Sequence, residues 1–332
     1  MQMAKLKAKE QTTIGIDIGG TKIAGGLVHS KGRLIHSLVV PTLADKGVKT
    51  SLNQVMSLIE RLVRQAGKNA ALRGIGICAP GPLNQKTGVV LTPPNLPGWN
   101  HVPLADLVQK RFGLPALVEN DANAAGLAEV LIGAAARYRD IFYVTVSTGI
   151  GTGIIIDRKI YRGKNGVAAE GGHVVIDYRS PFYCGCGTRG CIEALASGPA
   201  MVRRTRCLLE QQHSQPSLLR TLTGGDLRKI TPSMIAEAAR RRDRIARMIV
   251  DETGFYLGVW LGSMMSVLDP EAIVIGGGIS LIGKPLFEKI RKTIPDYTIN
   301  RSFVPDLPIM PAKLRKDVGV YGAASLFLSQ DP

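Results

Sequence analysis

The chain has 332 residues, enough for two domains that each bury a core. Its 45% apolar and 20% charged content excludes a disordered or fibrous chain, and no apolar run approaches the roughly 20 residues a membrane helix requires. A balance of 42 Lys and Arg against 26 Asp and Glu leaves a net charge of +16, yet aromatics make up only 5% and none interleaves with the basic run, so neither a single-strand stacking surface nor a nucleic-acid partner is expected.

The chain opens with Met1 to Glu10, polar and Lys-rich, which read as a short flexible leader with no signal-peptide core behind it. Three strands joined by tight turns follow: Thr12–Asp17, Ile23–Val28 after Ile18-Gly19-Gly20-Thr21-Lys22, and Arg33–Val40 after Ser30-Lys31-Gly32. Next come a helix over Thr50–Gln65, an apolar strand at Gly74–Cys78 and a Pro-rich loop from Ala79 to Trp99. Cys78 reads as a small buried hydrophobe. Trp99 and His101 could flank a sugar, with packing at least as good an account. A helix at Pro103–Phe112 leads to a short strand, Ala116–Val118, then to Glu119-Asn120-Asp121-Ala122-Asn123 and a small-residue helix over Ala124–Ile132.

The opening pattern then recurs. Ile141–Val146 reads as a strand, Ser147-Thr148-Gly149-Ile150-Gly151-Thr152-Gly153 as a turn, and Ile154–Ile156 and Ile160–Arg162 as the strands that follow. Beyond residue 193 the chain reads as mainly helical to Val267, followed by a strand at Ala272–Ile275, a Gly276-Gly277-Gly278 turn and an apolar last helix, Gly319–Leu328. Strands alternating with helices argue an α/β fold. Residues 201–250 carry 11 Arg and Lys against 4 Asp and Glu, densest at Arg240–Arg247. Apolar residues at Ile235, Ala238, Ala239, Ile245, Met248 and Ile249 make this an amphipathic helix with a solvated basic face; a polyanion site is the functional alternative.

The most specific chemistry lies between Glu170 and Glu193. His173, Cys184, Cys186 and Cys191 follow one another with gaps of ten, one and four residues. Four N/S ligands are what a closed tetrahedral Zn2+ site needs. Two carboxylates bracket it, so the knot can build a polar pocket as well as pin a loop. The cysteine pattern, three clustered and Cys78 and Cys207 alone, fits a reducing cytoplasm.

The two glycine turns fit neither a Walker loop nor a dinucleotide fingerprint. Their glycines let backbone N–H groups approach an anion, and Thr21 and Lys22 add a hydroxyl and a charge. Asp17, an acid beside a phosphate site, makes sense with a divalent cation between them. A plain hairpin is the simpler account of either turn; two in equivalent positions favour phosphate. Asp121 is placed for general-base work, although Asn and Asp are also common helix caps. Gly276 and Gly277 could admit a nucleotide close to the backbone or simply start a helix.

In this order the motifs Asp17–Lys22, Glu119–Asn123, Ser147–Gly153, Glu170-Gly171-Gly172-His173 and Cys184–Glu193 resemble those of the ROK family of sugar kinases, over Ile14 to about Leu328. The resemblance implies a two-domain actin-like ATPase (ribonuclease H-like) fold with a cleft between domains. The small α/β domain would span residues 1–120 and be joined by a C-terminal helix at 317–332; the large one would span 121–316 and carry the zinc loop. It implies ATP-dependent phosphorylation of a hexose, glucose foremost, with N-acetylmannosamine, N-acetylglucosamine and fructose as alternatives and polyphosphate as an alternative donor. Asp121 would be the base, with Asn120, Asp121, Glu170, His173 and Glu193 holding the sugar. Asp17, Gly19, Gly20, Thr21, Lys22, Thr148, Gly149, Gly276 and Gly277 would hold ATP and Mg2+. A homodimer or homotetramer is implied. Family repressors carry an added N-terminal DNA-binding domain, for which no room is expected before Asp17. Three positions depart from the family pattern: Ser147 and Thr152 stand where glycine is usual, and Gly171 where a larger residue is.

Overall fold

The computed structural model describes residues 11–67, 70–212 and 215–328; the polar leader over residues 1–10 lies outside them. The chain starts with β1 (Gln11–Ile18), β2 (Lys22–His29) and β3 (Leu34–Pro41), then α1 (Val48–Ala66) and β4 (Ala71–Ala79). A two-residue pair, β5 (Leu83–Asn84) and β6 (Val89–Val90), precedes α2 (Leu104–Phe112), β7 (Ala116–Asn120) and α3 (Asp121–Leu131). The second run has β8 (Ile141–Val146), β9 (Ile150–Ile156) and β10 (Lys159–Ile160), then five helices: α4 (Ile192–Ala196), α5 (Gly198–Gln211), α6 (Leu218–Leu222), α7 (Pro232–Arg240) and α8 (Arg244–Leu268). It ends with β11 (Ala272–Gly276), α9 (Lys284–Thr293), β12 (Ile309–Pro311) and α10 (Val318–Leu328).

The expected recurrence is visible in the sheets. One has the order β3-β2-β1-β4-β7 and the other β10-β9-β8-β11-β12, the same permutation of strands. In the first, β1–β2 and β2–β3 are antiparallel while β1–β4 and β4–β7 are parallel. The contacts divide the chain into two units: one runs to Arg139 and adds Gly153–Ala168 and the segment from Lys313, the other holds Asp140–Thr152 and Ala169–Ala312.

In the first unit α1 carries Val55, Leu58, Ile59 and Leu62 on one stripe, all fully buried in the cluster that includes β1 and β4 residues. Each such side chain contributes about 1.5–3 kcal/mol of burial. On the other side α10 lies directly on the strands: a Cβ at Gly15 would strike the Val320 carbonyl, and one at Gly76 the Ala323 carbonyl. Trp99 is only 2% exposed and donates to Ser51 Oγ at 2.8 Å, so it is a core residue and does not flank a sugar. In the second unit Trp260 of α8 is fully buried, edge-on to Phe142 of β8 at 5.6 Å.

Three expected elements differ. Ile150–Gly153, read as part of a turn, belong to β9. The third strand of the recurrence shrinks to Lys159–Ile160. The basic helix is two helices: α7 stops at Arg240, Arg242 takes a left-handed φ of 65°, and Asp243 caps α8. Among the described residues no helix is long and apolar enough to cross a membrane.

Candidate functional site

In the first unit the chemistry gathers where β1 and β7 end. The β1–β2 turn is closed by Gly19 N–H donating to Lys22 O at 2.9 Å and by Thr42 Oγ1 donating to Gly19 O at 2.6 Å. A side chain at Gly20 would meet the Asn95 carbonyl at 2.7 Å, so only glycine keeps this turn open. Thr21 follows the turn exposed, and Lys22 opens β2. Asp17 is pushed up to about 6 from 3.8, first by burial and then by the Asp121 carboxylate, with Lys22 acting in the opposite sense. A partly buried acid held beside a second acid is a natural ligand for a divalent cation.

β7 runs two residues further than expected, through Glu119 and Asn120, and Asp121 is the first residue of α3. Asn120 is the N-cap: its Oδ1 accepts from Ala122 N–H at 3.0 Å and Asn123 N–H at 3.2 Å. Asp121 is exposed at a helix N-terminus, where partial positive charge favours a carboxylate. Behind it Glu119, 1% exposed, accepts from Asn120 N–H at 2.9 Å and from Arg162 Nε at 2.7 Å. Sequence reasoning missed this pair of a buried acid and an exposed base; the two residues stand 43 apart.

In the second unit the four expected ligand residues come together. One ligand atom from each of His173, Cys184, Cys186 and Cys191 lies within 4.8 Å of the others. His173 Nδ1 is 3.4 Å from Cys184 Sγ, and Cys186 Sγ is 3.7 Å from Cys191 Sγ. Ligands at Zn–S and Zn–N bond lengths in a tetrahedron stand about 3.8 Å (S to S) and about 3.6 Å (N to S) apart, so the donor set and its spacing fit Zn2+. The loop is tied by Cys184 N–H to Thr188 O at 2.8 Å and by isolated bridges Tyr183–Arg189 and Val175–Cys191. Burial pushes the Cys184 thiol up to about 12, opposed by a backbone hydrogen bond at Cys186 and helped by side-chain hydrogen bonds to Cys186 and Glu193 and by the Glu193 charge.

Cys191 caps α4, which puts Glu193 in the helix's first turn. Glu193 Oε2 accepts from Ile150 N–H at 2.8 Å, and Oε1 from Cys184 Sγ at 3.3 Å. The carboxylate therefore ties the metal loop to the turn after β8. That turn is Ser147–Gly149, with Thr148 exposed and Ser147 N–H donating to Gly149 O at 2.8 Å. Thr152 is not in it. It is a β9 residue, 2% exposed, whose hydroxyl donates to Ala169 O and accepts from Gly171 N–H at 3.0 Å. A Cβ at Gly171 would come within 2.9 Å of that hydroxyl. Two of the three expected departures thus explain each other: Thr152 occupies the room Gly171 leaves, and its hydroxyl grips the backbone on both sides of the exposed Glu170.

β11 ends at Gly276. Gly277 adopts φ 82° against the Val146 carbonyl, a place no side chain fits. Gly278 then lines a cavity of about 690 Å³ together with Thr148, Pro199, Ala236, Arg240 and Ile279. Its size and mostly apolar wall suit a small ligand. Pro199, Ala236 and Ile279 carried no sequence signal, since small and apolar residues are equally at home in any core.

Two sheets of one strand order, each with a glycine turn at its first strand, define the actin-like ATPase class of fold, which the comparisons refine. Residues 13–330 match the ROK family. A glucokinase of Thermotoga maritima is 37% identical over 324 residues, 98% of each chain. A glucokinase of Streptomyces coelicolor is 35% identical, across 96% of this chain and 98% of its own. The crystal structure of a ROK family glucokinase from Streptomyces griseus, in complex with glucose and AMPPNP, has a TM-score of 0.80 at 36% identity, covering 95% of this chain and 98% of that one.

The chain belongs to the ROK family. Its likeness to these enzymes over nearly its full length makes it a hexose kinase with the two-domain actin-like ATPase fold.

Proposed function

We propose that the protein is an ATP-dependent glucokinase that transfers the γ-phosphoryl group to the 6-hydroxyl of glucose. The observation that carries this reading is Asp121, exposed as the first residue of α3 beside the N-cap Asn120, in a chain so like glucokinases along its length.

In-line phosphoryl transfer needs a positioned acceptor, a proton acceptor and stabilised phosphate charge. Asp121 takes the proton of the 6-hydroxyl as the oxygen attacks phosphorus. Asn120 offers its amide, and Glu170, His173 and Glu193 hydrogen-bond the other hydroxyls; carboxylates, an amide and an imidazole suit a neutral polyol. The backbone N–H groups of the Gly19–Thr21 and Thr148–Gly149 turns, with Lys22, hold the phosphates, and the cavity at Gly278 takes the nucleoside. Asp17 is the residue for Mg2+, which when bound supplies positive charge to the phosphates. The His173, Cys184, Cys186 and Cys191 set is the residue group for Zn2+, which fixes the Glu170–Glu193 segment. Asp121 lies near enough to raise Asp17, so a cation at Asp17 also sets the charge around the base.

The test is ADP release from MgATP with glucose, mannose, fructose, N-acetylmannosamine and N-acetylglucosamine in parallel. Glucose is expected to give the highest kcat/KM. A preference for an amino sugar would overturn the substrate, and no sugar-dependent release from zinc-loaded, folded protein would overturn the reaction.

A further inference from the structure

The basic run has a geometry that a merely solvated helix face lacks. Because α7 and α8 are separate, the arginines fall at a corner. Arg242, Arg244 and Arg247 line a concavity of about 610 Å³ with Met248 and Pro285. The nearby acids are already committed. Asp243 Oδ1 accepts from Ala246 N–H at 2.9 Å, and its Oδ2 accepts from Ser217 Oγ at 2.8 Å and Leu218 N–H at 2.7 Å. Glu237 takes Arg240 at 2.8 Å. Asp251 and Glu288, which also line the concavity, pair with Lys289 at 2.9 Å and Lys284 at 3.5 Å. Among the described residues, Arg242, Arg244 and Arg247 have no carboxylate partner.

We propose that this concavity between the α7–α8 corner and the start of α9 binds a compact, multiply charged phosphate anion, at a site separate from the glycine turns. Guanidinium groups present planar forks that match phosphate oxygens, and three of them with no carboxylate paired to them leave an excess of positive charge that such an anion relieves. The volume falls in the small-ligand range of roughly 300–1,000 Å³. No aromatic residue lines it, so a stacked nucleic-acid strand fits the chemistry less well than an oligophosphate. Helix α7 gives this site a readout at the cavity assigned to the nucleoside. Ala236 and Arg240 line that cavity, while Ala239 and, just past the helix end, Arg242 line the basic one. An anion that settles the corner shifts nucleotide affinity, and nucleotide shifts anion affinity by the same factor.

Calorimetric titration of the full chain with tripolyphosphate, in saturating AMPPNP and glucose and at low and physiological salt, tests this. Saturable binding that survives the filled nucleotide site and weakens with salt is expected. R244Q/R247Q should lose about tenfold or more in affinity, the scale of a lost charge-assisted hydrogen bond, while R244K/R247K keeps most of it. Both variants should turn over at the parent rate when no tripolyphosphate is present. Loss of binding when nucleotide is present, equal affinity in R244Q/R247Q, or tighter binding of a single-stranded oligonucleotide than of tripolyphosphate would each overturn the proposal. The readout is binding, so a wrong sugar assignment leaves it intact.

Discussion

The two glycine turns share a local plan and are held by opposite means. The turn after β1 is held within its own sheet: its bonds run to Lys22 at the start of β2 and to Thr42 just past β3, and the acids Asp17 and Asp121 stand near it. The turn after β8 borrows its support. Ser147 O accepts from Gly198 N–H at 2.8 Å, and the Ile150 amide is claimed by Glu193, a residue set in place by the cysteine loop. One turn therefore concentrates charge on a rigid frame, while the other depends on a distant segment staying folded.

The sharpest way to break this asymmetry is Asp121→Asn. As the base of the proposed reaction it should lower kcat by about a thousandfold, within the range for general-base loss, and leave the thermal midpoint nearly unchanged. Near-normal kcat would remove the base assignment.

The proposed zinc site comes next. Chelation or Cys186→Ser frees Glu193, so KM should rise by about tenfold or more for ATP as well as for sugar. Unchanged KM values in demonstrably zinc-free, folded protein would show that the second turn stands alone as the first does.

Asp17→Asn probes the first turn and should separate stability from activity. A carboxyl raised to about 6 from 3.8 binds its proton more tightly folded than unfolded. Its contribution is therefore full below about pH 4 and lost as pH rises through about 6, a cost of about 2–3 kcal/mol at neutral pH. The variant should be more stable than the parent at pH 7.5 by that order, with the gap closing toward pH 4, and should lose Mg2+-dependent turnover. Urea unfolding at both pH values gives the comparison, and an equal gap at both would refute the linkage.

The smallest expected effect is Thr152→Val, which keeps shape but strands Ala169 O and Gly171 N–H. It should cost about 1–3 kcal/mol of stability and raise KM for sugar through Glu170 while kcat changes less. A kcat loss with unchanged KM would place Thr152 in the chemistry instead.

What the sequence made legible was whatever carries a local signature. The runs Thr12–Asp17 and Ile141–Val146, rich in β-branched residues, marked strands, the ten-one-four spacing marked a ligand set, and Asn120 before a small-residue helix marked a cap. Ile150–Gly153 misled because glycines in a strand look like a turn until a partner strand supplies the ladder. The α7–α8 break was hidden because both helices keep apolar residues inward, and the corner is fixed by the bonds of Asp243 to α6 and by the backbone bonds of Arg242 and Asp243 to the end of α7. Trp99 shows the converse: a tryptophan in a Pro-rich loop suggests a sugar platform, but its ring is claimed by the core and its N–H by Ser51.

The seating of α10 on β1 and β4 has a consequence for how the chain is made. The sheet formed by the earliest residues keeps one apolar side open until Val318–Leu328 arrive, because Val320 and Ala323 complete it. At roughly 5–20 residues per second, the ribosome adds the intervening stretch in roughly ten to forty seconds. During that interval Val28 and Cys78 of the newborn first half await Val320, Ala323 and Ala324, their partners on α10. A chain cut short before Val318 would leave that face of the first sheet open.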